Sequence, residues 1–248
     1  MKKDCMYHKI VSRLLTLHKT NQDLAYMNSK ITELLWSQKF QHSIVDADWL
    51  RKKAVSASGA AANYSFLYVL FRILNDFKPS SILEIGLGQT TKLNAQYVAY
   101  HNKQAELYVV EDSTDWIKLF DDFLGLSKNI HLLCLPLEKI NVKGFVVDAY
   151  KNLAHLIENR EFNLIINDGP MGNEHYSRAG IINLIPNNLA ESFVILFDDY
   201  DRCGEKETVA LICEILKKHS YTFNTTIYKG VKQQFLIYSP DLYMLREL

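Results

Sequence analysis

The chain has 248 residues, of which 48% are hydrophobic and 12% are aromatic. This content suffices for one well-buried domain with an appendage, whereas two full domains would be cramped. Basic and acidic residues number 28 each, so the formal net charge is zero. Because no global positive field attracts phosphate backbones, we expect no nucleic acid partner.

Cysteine spacing and the first residues of the chain bear on its compartment. The four cysteines lie far apart, without the close spacing of a zinc or redox motif: Cys5, Cys134, Cys203 and Cys213. The segment after Lys3 is too polar for a signal peptide. The apolar run 64–74 is too short for a membrane span and contains Arg72. These features predict a cytoplasmic protein with reduced thiols and no membrane span.

A long amphipathic helix is predicted near the N-terminus, because no proline or glycine interrupts a 4-3 spacing of mostly apolar residues. The spaced positions are Ile10, Leu14, Leu17, Asn21, Leu24, Asn28, Ile31, Leu35 and Gln38. Such a helix either pairs with a second subunit to form a homodimer or folds back on its own domain. Asn21 and Asn28 at seam positions suit a coiled coil of fixed register, and an ordinary surface helix is the alternative.

The small-residue stretch 55–59 is predicted to end this appendage. The chain therefore divides into a helical extension, residues 1–58, and a main domain, residues 59–248. A further helix is predicted over 60–76, because the pattern stops at Lys78-Pro79.

Beyond Pro79, short apolar runs alternate with helical segments, as in a parallel sheet built from βαβ units. The predicted parallel strands are 81–85, 106–110, 130–135, 162–167 and 193–197. Two further strands, 221–228 and 233–238, flank a short turn and must be antiparallel. The sequence thus predicts an α/β fold with a doubly wound, mainly parallel, seven-stranded, Rossmann-like sheet. Within the insertion 137–160 we expect a short strand at 145–147 and a helix after it.

A glycine turn follows the first parallel strand, in the sequence Glu84-Ile85-Gly86-Leu87-Gly88-Gln89-Thr90. A strand, a glycine turn and a helix in this order place a ligand at the carboxyl end of the sheet. Gly86 and Gly88 allow a tight turn and close backbone approach to that ligand. The usual third glycine of such a loop is absent, with Thr90 in its place, and the dinucleotide fingerprint Gly-x-Gly-x-x-Gly is not met either, which disfavours a nicotinamide cofactor.

This turn, with an acidic residue two positions before its first glycine, resembles the first motif of class I S-adenosylmethionine-dependent methyltransferases. Five parallel strands followed by an antiparallel hairpin are also typical of that family. The resemblance implies that the loop contacts the amino-acid part of S-adenosylmethionine and that the acid helps to hold its charged end. The implied cofactor residues are Glu84, Gly86, Gly88 and Thr90.

Three further positions are candidates for the adenosine part of the cofactor. Glu111 ends the second strand, where a carboxylate can accept hydrogen bonds from both ribose hydroxyls. Trp116 faces either the core, our first expectation, or the adenine. Glu138, after the third strand, is a candidate partner for the adenine amino group.

Acidic residues follow two other strands: Asp168 after the fourth, and Asp198 with Asp199 after the fifth. The carboxyl ends of parallel strands meet at one edge, so these acids should border the cofactor. Carboxylates brought together repel one another unless a cation neutralises them, and oxygen ligands suit Mg²⁺ or Ca²⁺. The set resembles metal-dependent O-methyltransferases, of the catechol type and those that modify macrolide sugars. That resemblance implies Mg²⁺ ligands at all three positions, and the bound cation would lower the pKa of an acceptor hydroxyl.

The sequence differs from the pattern of these metal-dependent enzymes at the position of the general base. Enzymes of this group often carry Lys or His three positions after the acid, where this chain has Met171. His175, the histidine of the same loop, is therefore the candidate base, with Asp168 as the other catalytic candidate. Tyr176 and Arg178 are expected to shape the substrate site.

A narrower resemblance covers most of residues 59–248. The phrases that carry it are Asn63-Tyr64-Ser65-Phe66-Leu67, Gly86-Leu87-Gly88-Gln89-Thr90-Thr91-Lys92, Asp168-Gly169-Pro170 and Asp198-Asp199-Tyr200-Asp201-Arg202. They look like a little-characterised bacterial group of methyltransferase-like proteins among surface-polysaccharide functions. This resemblance implies a sugar or glycan precursor as acceptor. Asn63 and Tyr64 are candidates to line the cofactor pocket, whereas a core position is the first expectation for a Tyr on an apolar helix.

The expected function is therefore O-methylation of a hydroxyl on a small molecule or glycan, with S-adenosylmethionine as donor and Mg²⁺ assisting. Two alternatives remain. One is a methyltransferase-like binding or assembly protein without catalysis, suggested by the missing third glycine and by Met171. The other is an NAD-dependent oxidoreductase, which has the same architecture.

Overall fold

The computed structural model describes residues 2–50, 53–57, 62–101 and 104–248, with residues 2–12 described by their backbone alone. Its α-helices are α1 (Lys2–Ser43), α2 (Tyr64–Arg72), α3 (Gln89–His101), α4 (Thr114–Lys118), α5 (Asp121–Leu124), α6 (Leu153–Leu156) and α7 (Cys203–Lys218). Its strands are β1 (Ser81–Ile85), β2 (Glu106–Glu111), β3 (Ile130–Cys134), β4 (Leu137–Val142), β5 (Phe145–Tyr150), β6 (Phe162–Asn167), β7 (Leu189–Phe197), β8 (Asn224–Lys229) and β9 (Gln233–Tyr238). No helix in these ranges is both long and apolar enough to cross a membrane.

Within the described residues the main sheet has seven strands in the order β3-β2-β1-β6-β7-β9-β8. Strands β3, β2, β1, β6 and β7 run parallel, and β9 pairs antiparallel with both β7 and β8. Nearly every side chain of β1, β6 and the second half of β7 is buried, because each face of the sheet is covered by its own apolar cluster. The predicted α/β fold is confirmed.

Strand β8 begins at Asn224, three residues later than predicted. The cause is the C-terminal end of α7, where the backbone N–H of Tyr221 donates to the carbonyl of Leu216 at 2.9 Å. This bond makes the residues after Lys218 part of the helix terminus, so they do not extend strand β8.

The insertion after β3 forms a second, two-stranded sheet of β4 and β5. The chain turns between them at Lys143 and Gly144, which both have positive φ angles, of 53° and 92°. The prediction found a strand at 145–147 and a following helix, now α6, but it missed β4. Most side chains of β4 are exposed and two of them are charged, so this strand has no apolar run to reveal it.

Helix α1 is confirmed, and it is longer than the predicted pattern. Its last turns pack on the main domain, where Phe40 is buried and the ring of Trp36 lies 5.4 Å from that of Tyr68. The carboxylate of Glu33 accepts the backbone N–H of Tyr64 at 2.7 Å, at the start of α2. Residues 13–28 are exposed throughout. The C-terminal part of α1 therefore folds back on its own domain, whereas the N-terminal part projects from it.

Helix α2 starts at Tyr64, with Asn63 as its N-cap, and continues as a turn of π-helix, Ile73–Phe77. Lys78 then takes a left-handed conformation, with a φ of 55°, which ends the helix where the sequence predicted. The predicted start at residue 60 and the domain boundary between residues 58 and 59 lie outside the described residues.

Candidate functional site

The strand register brings the predicted site segments to one edge of the sheet. Ile85 at the end of β1 pairs with Val110 of β2 on one side and with Asn167 of β6 on the other. Asn167 pairs in turn with Phe197, the last residue of β7. The residues that follow these strands therefore leave the sheet side by side. This gathers the glycine turn, Glu111 and the acids after β6 and β7 at one edge.

The glycine turn packs against the loop after β6. Gly86 has a φ of 99°, and a Cβ atom on it would lie 2.8 Å from the backbone nitrogen of Gly169. A Cβ atom on Gly169 would in turn lie 2.6 Å from the Cα of Gly86. Position 86 therefore requires glycine for both its conformation and its neighbour. Gly169 was not among the predicted site residues, although its place beside Asp168 was a usable signal.

Gly88 has no such internal constraint. An added Cβ atom would meet Thr90 Oγ1 at 3.8 Å, an ordinary contact, and the φ angle of Gly88 is not positive. The protein itself leaves the space over this residue open. A glycine here suits a ligand that approaches the backbone closely.

Glu84 and Thr90 lie beneath the turn. The carboxylate of Glu84 is fully buried and accepts hydrogen bonds from Thr90 Oγ1 at 2.5 Å and from Asn94 Nδ2 at 2.9 Å. Burial raises the pKa of Glu84 to about 7, although these hydrogen bonds act in the opposite direction. Thr90 and Asn94 are one helical turn apart, a spacing through which Asn94 could have been predicted. Together the three side chains fix β1 to the start of α3.

An open cleft of about 330 Å³ lies over this edge of the sheet, within the size range of small-molecule sites. Its lining consists of Gly86, Leu87, Glu111, Asp112, Trp116, Leu137, Tyr150, Asp168, Gly169, Pro170 and Met171. Three predicted cofactor residues, Gly86, Glu111 and Asp168, are thus neighbours in one cavity. An adjoining cavity, which shares Tyr150, Gly169 and Pro170 with the cleft, is lined by Glu138.

Glu111 is buried beside the glycine turn. Its Oε2 accepts the N–H of Leu87 at 3.2 Å, and its Oε1 accepts the N–H groups of Asp112 and Ser113 at 3.0 Å each. Since an ionised carboxylate has about four acceptor positions, about one remains for a ligand hydroxyl. The sequence analysis had expected Glu111 to accept hydrogen bonds from both ribose hydroxyls, which requires two free acceptor positions.

Trp116 forms one wall of the cleft. Its Nε1 donates to the carbonyl of Leu87 at 2.8 Å, and its side chain is 41% exposed. The first expectation, that Trp116 faces the core, was wrong, because the indole hydrogen bond holds the ring at the rim. Its contact with adenine stays a prediction.

The acids after β6 and β7 come together as predicted. One carboxylate oxygen from each of Asp168, Asp198 and Asp199 lies within 4.8 Å of the others. Arg178 and Lys232, however, already face oxygens of the same three carboxylates at 3.0 to 3.2 Å. Mg²⁺ needs its ligand oxygens at about 2.0–2.1 Å in octahedral geometry, so it would have to displace these cations. The set as it lies, paired with Arg178 and Lys232, does not suit the ion, and magnesium binding stays a prediction.

Burial and mutual charge determine the ionisation of this group. Burial raises the pKa of Asp168, the charge of Asp198 adds to the effect, and Arg178 and Lys232 oppose it. Burial likewise raises the pKa of Asp198, against the influence of Lys232. Burial alone would lower the pKa of Arg178 and of Lys232, but the facing carboxylates outweigh it and raise both. Both cations therefore stay protonated at neutral pH.

His175 lies between the β4–β5 hairpin and α7. Its Nδ1 is 3.0 Å from Oε1 of Glu207, and its ring lies 4.3 Å from that of Phe145. The cleft is lined instead by Asp168 and by Met171, which is exposed. The role of His175 as base stays untested, and Asp168 is the catalytic candidate that borders the cleft.

Asn63 caps α2 and bonds to the strand β9. Its Oδ1 accepts Gln234 Nε2 at 3.1 Å, and the same nitrogen is 2.9 Å from Asp198 Oδ1. The sequence analysis had made Asn63 a candidate to line the cofactor pocket. In the structure it supports the acids after β7.

No family model and no curated protein matches the sequence. Among solved structures, an O-methyltransferase of Bacillus cereus in complex with SAH superposes with a TM-score of 0.51 and 12% identity, over 84% of this chain and 91% of that one. The two proteins share a fold. A methyltransferase of Geobacter sulfurreducens gives a TM-score of 0.49 at 14% identity, over 72% of this chain and 80% of its own. At 12% identity the likeness to the Bacillus cereus structure concerns architecture alone, and it agrees with the predicted Rossmann-like fold of class I methyltransferases.

Proposed function

We propose that this protein is an S-adenosylmethionine-dependent methyltransferase that methylates a hydroxyl group of a small molecule or glycan precursor. The observation that carries the proposal is the shared cleft at the carboxyl edge of the sheet. The glycine turn after β1, the acid that ends β2 and the acid after β6 all border it. The fold, which it shares with an O-methyltransferase in complex with SAH, supports the proposal.

The residues present fit the cofactor. The space over Gly88 admits a ligand, and Glu111 retains about one acceptor position for a ribose hydroxyl. The exposed ring of Trp116 offers a flat wall for the adenine. When bound, S-adenosylmethionine supplies a methyl group on a positively charged sulfur.

Asp168 is the proposed proton acceptor. Its side chain reaches the cleft, and its pKa is raised by burial, so it can take up a proton close to neutral pH. Asp168 would take the hydroxyl proton of the acceptor, while the bound cofactor would supply the methyl group to that oxygen and keep its sulfur. The walls of the cleft would hold the acceptor oxygen in position for this transfer.

Binding and turnover by the purified full chain test this function. Calorimetry with S-adenosylmethionine, and with NAD⁺ for comparison, should detect only the former. Release of S-adenosylhomocysteine should then depend on a hydroxylated acceptor, for which sugars and nucleotide sugars are the first panel. We expect Asp168→Asn to bind the cofactor and to lose about 10²- to 10⁴-fold in turnover. Asp112→Asn removes the same charge at an exposed position of the rim and should retain turnover.

Each alternative has its own outcome in these experiments. Cofactor binding without turnover on any acceptor would favour the inactive binding protein. Preference for NAD⁺ would favour the oxidoreductase. Absence of S-adenosylmethionine binding would refute the proposal outright. The glycan class of acceptor rests on the sequence resemblance alone, and the acceptor panel tests it separately.

We also propose that α1 pairs with α1 of a second copy of the chain. The side chains of Leu17, Leu24 and Ile31 on the 4-3 seam are 59%, 52% and 52% exposed. Trp36 and Phe40 contact the main domain from another side of the helix, because they stand about 100° or more from this seam. The seam therefore points away from the domain of its own chain.

The charges of α1 favour a copy of the same helix as the partner. Between Leu14 and Gln38 the charged residues are Lys19, Asp23, Lys30 and Glu33. At about 100° per residue all four stand on the side opposite the seam. Two identical seams can therefore meet without repulsion between like charges, and paired asparagines at positions 21 and 28 would fix their register.

A further inference from the structure

Arg178, which is buried, and Lys232, which is half-buried, bind the acids that the sequence resemblance assigned to a metal. Arg178 Nη2 lies 3.2 Å from Asp168 Oδ1 and 3.0 Å from Asp199 Oδ2. Lys232 Nζ lies 3.1 Å from Asp198 Oδ2 and 3.1 Å from Asp199 Oδ1. Each cation thus bridges two carboxylates, and each carboxylate faces at least one cation. We call the three aspartates the acid cluster and the two basic residues its paired cations.

Arg178 is held in place by more than these ion pairs. The side chain of Arg178 is 7% exposed, and its Nε donates to the carbonyl of Pro170 at 3.3 Å. The side chain of Lys232 is 19% exposed and lies on the turn between β8 and β9. Such burial of charged groups is stable only when they are paired, which the acid cluster provides.

Most oxygens of the acid cluster already face a cation or a donor, although Asp199 Oδ1, 3.1 Å from Lys232 Nζ, makes no hydrogen bond. Both oxygens of Asp199 face the paired cations. Of the two oxygens of Asp198, Oδ2 faces Lys232 and Oδ1 accepts Gln234 Nε2 at 2.9 Å. Arg202, whose side chain is half exposed, adds a third cation, with its Nη1 3.0 Å from Asp199 Oδ2, so the positive charge at the acid cluster is at least that of a divalent ion. These cations thus offset the repulsion between the carboxylates, which was the reason for predicting a metal ion.

We propose that Arg178 and Lys232 replace a divalent cation in this chain, holding the acid cluster together and fixing Asp168 at the cleft without metal. This inference deepens the proposed function, because a methyl transfer in this cleft would then be independent of Mg²⁺. Arg178 and Lys232 act as positioning residues, since they contact the carboxylates rather than the proposed ligand.

Metal uptake by the full chain tests the replacement directly. Mn²⁺, a probe for Mg²⁺ sites, is titrated into the protein while the free ion is followed by electron paramagnetic resonance. We expect the native chain to show no stoichiometric uptake at millimolar Mn²⁺, and its thermal midpoint to be the same in EDTA and in Mg²⁺. Lys232→Met removes one paired cation, so it should bind Mn²⁺ at least about tenfold more tightly than the native chain. Its thermal midpoint should rise with Mn²⁺.

Lys229→Met is the matched control, because it removes the same charge from an exposed side chain of the same hairpin. It should behave as the native chain does. Stoichiometric Mn²⁺ uptake by the native chain, lost in Asp199→Asn, would overturn the inference. If Lys232→Met does not fold, the native titration decides alone: uptake overturns the inference and no uptake supports it.

The same protein separates this inference from the proposed function. Native chain that takes up no Mn²⁺ and also binds no S-adenosylmethionine would refute the function and leave the replacement standing. Native chain that binds the cofactor only with Mg²⁺ present would refute the replacement and leave the function standing.

Discussion

Alanine at positions 86 and 88 should separate folding from cofactor binding in the glycine turn. At position 86 the backbone has a φ of 99°, and the new Cβ atom would lie 2.8 Å from the nitrogen of Gly169. A non-glycine residue in a left-handed conformation costs about 1–2 kcal/mol, and overpacking adds about 1–3 kcal/mol. We therefore expect Gly86→Ala to lower the free energy of unfolding by about 2–5 kcal/mol.

Gly88→Ala should have the reverse pattern. The nearest neighbour of its Cβ atom outside the adjoining residues would be Thr90 Oγ1 at 3.8 Å, so the folded chain accepts the methyl group. The free energy of unfolding should stay within about 1 kcal/mol of the native value. The methyl group would nevertheless occupy space over the turn that we assign to the cofactor. We expect the dissociation constant for S-adenosylmethionine to rise about 100-fold, or about 2.7 kcal/mol.

Urea unfolding and calorimetric titration of both variants and the native chain measure these two quantities. A Gly88→Ala protein that binds S-adenosylmethionine like the native chain would refute the placement of the cofactor over this turn. A Gly86→Ala protein of native stability would refute the close contact with Gly169. Since each variant is the control for the other, a general effect of alanine in the loop would affect both alike.

Two further predictions concern stability and assembly. Glu84 has a pKa of about 7 in the folded chain against 4.5 as its ordinary value, so stability should fall by about 3 kcal/mol as pH rises through that window. Glu84→Gln should lack this fall, and parallel curves of stability against pH for the two proteins would contradict the raised pKa. The native chain should have twice the chain mass by light scattering, and Leu17→Asp with Leu24→Asp should halve it. Lys19→Asp, off the seam, should leave the dimer intact, while a native monomer would exclude the pairing of α1.

The sheet could be predicted because most of its strands are visible in the local sequence as apolar runs. Strands β1, β6 and β9 were bounded correctly to the residue, since buried strands of a covered sheet are continuous apolar runs with clear breaks. Strand β4 has no such apolar run, because its side chains are mostly exposed. The place of Glu111 and Asp168 at one edge followed from strand order and polarity alone.

The partners within the site could not be predicted in the same way. Arg178 and Lys232 lie far from each other in sequence, and neither belongs to a motif that predicts an ion pair. Their pairing with the acid cluster depends on which way long side chains turn after two separate loops. The residue types at the strand ends therefore predicted that the carboxylates lie together. Which cation pairs with them could be seen only in the folded structure.

The turn that carries Lys232 connects the acid cluster to the helical extension. Trp36 Nε1 donates to the carbonyl of Lys229 at 3.1 Å, which fixes the beginning of this turn to α1. On its other side, a Cβ atom on Gly230 would lie 2.7 Å from Cβ of Ser65, so the turn packs directly on α2. Held from both sides, the turn has little freedom to move Lys232 away from Asp198 and Asp199. The extension that we propose to form the dimer therefore also helps to place a cation of the site, and the two parts of the chain depend on each other structurally.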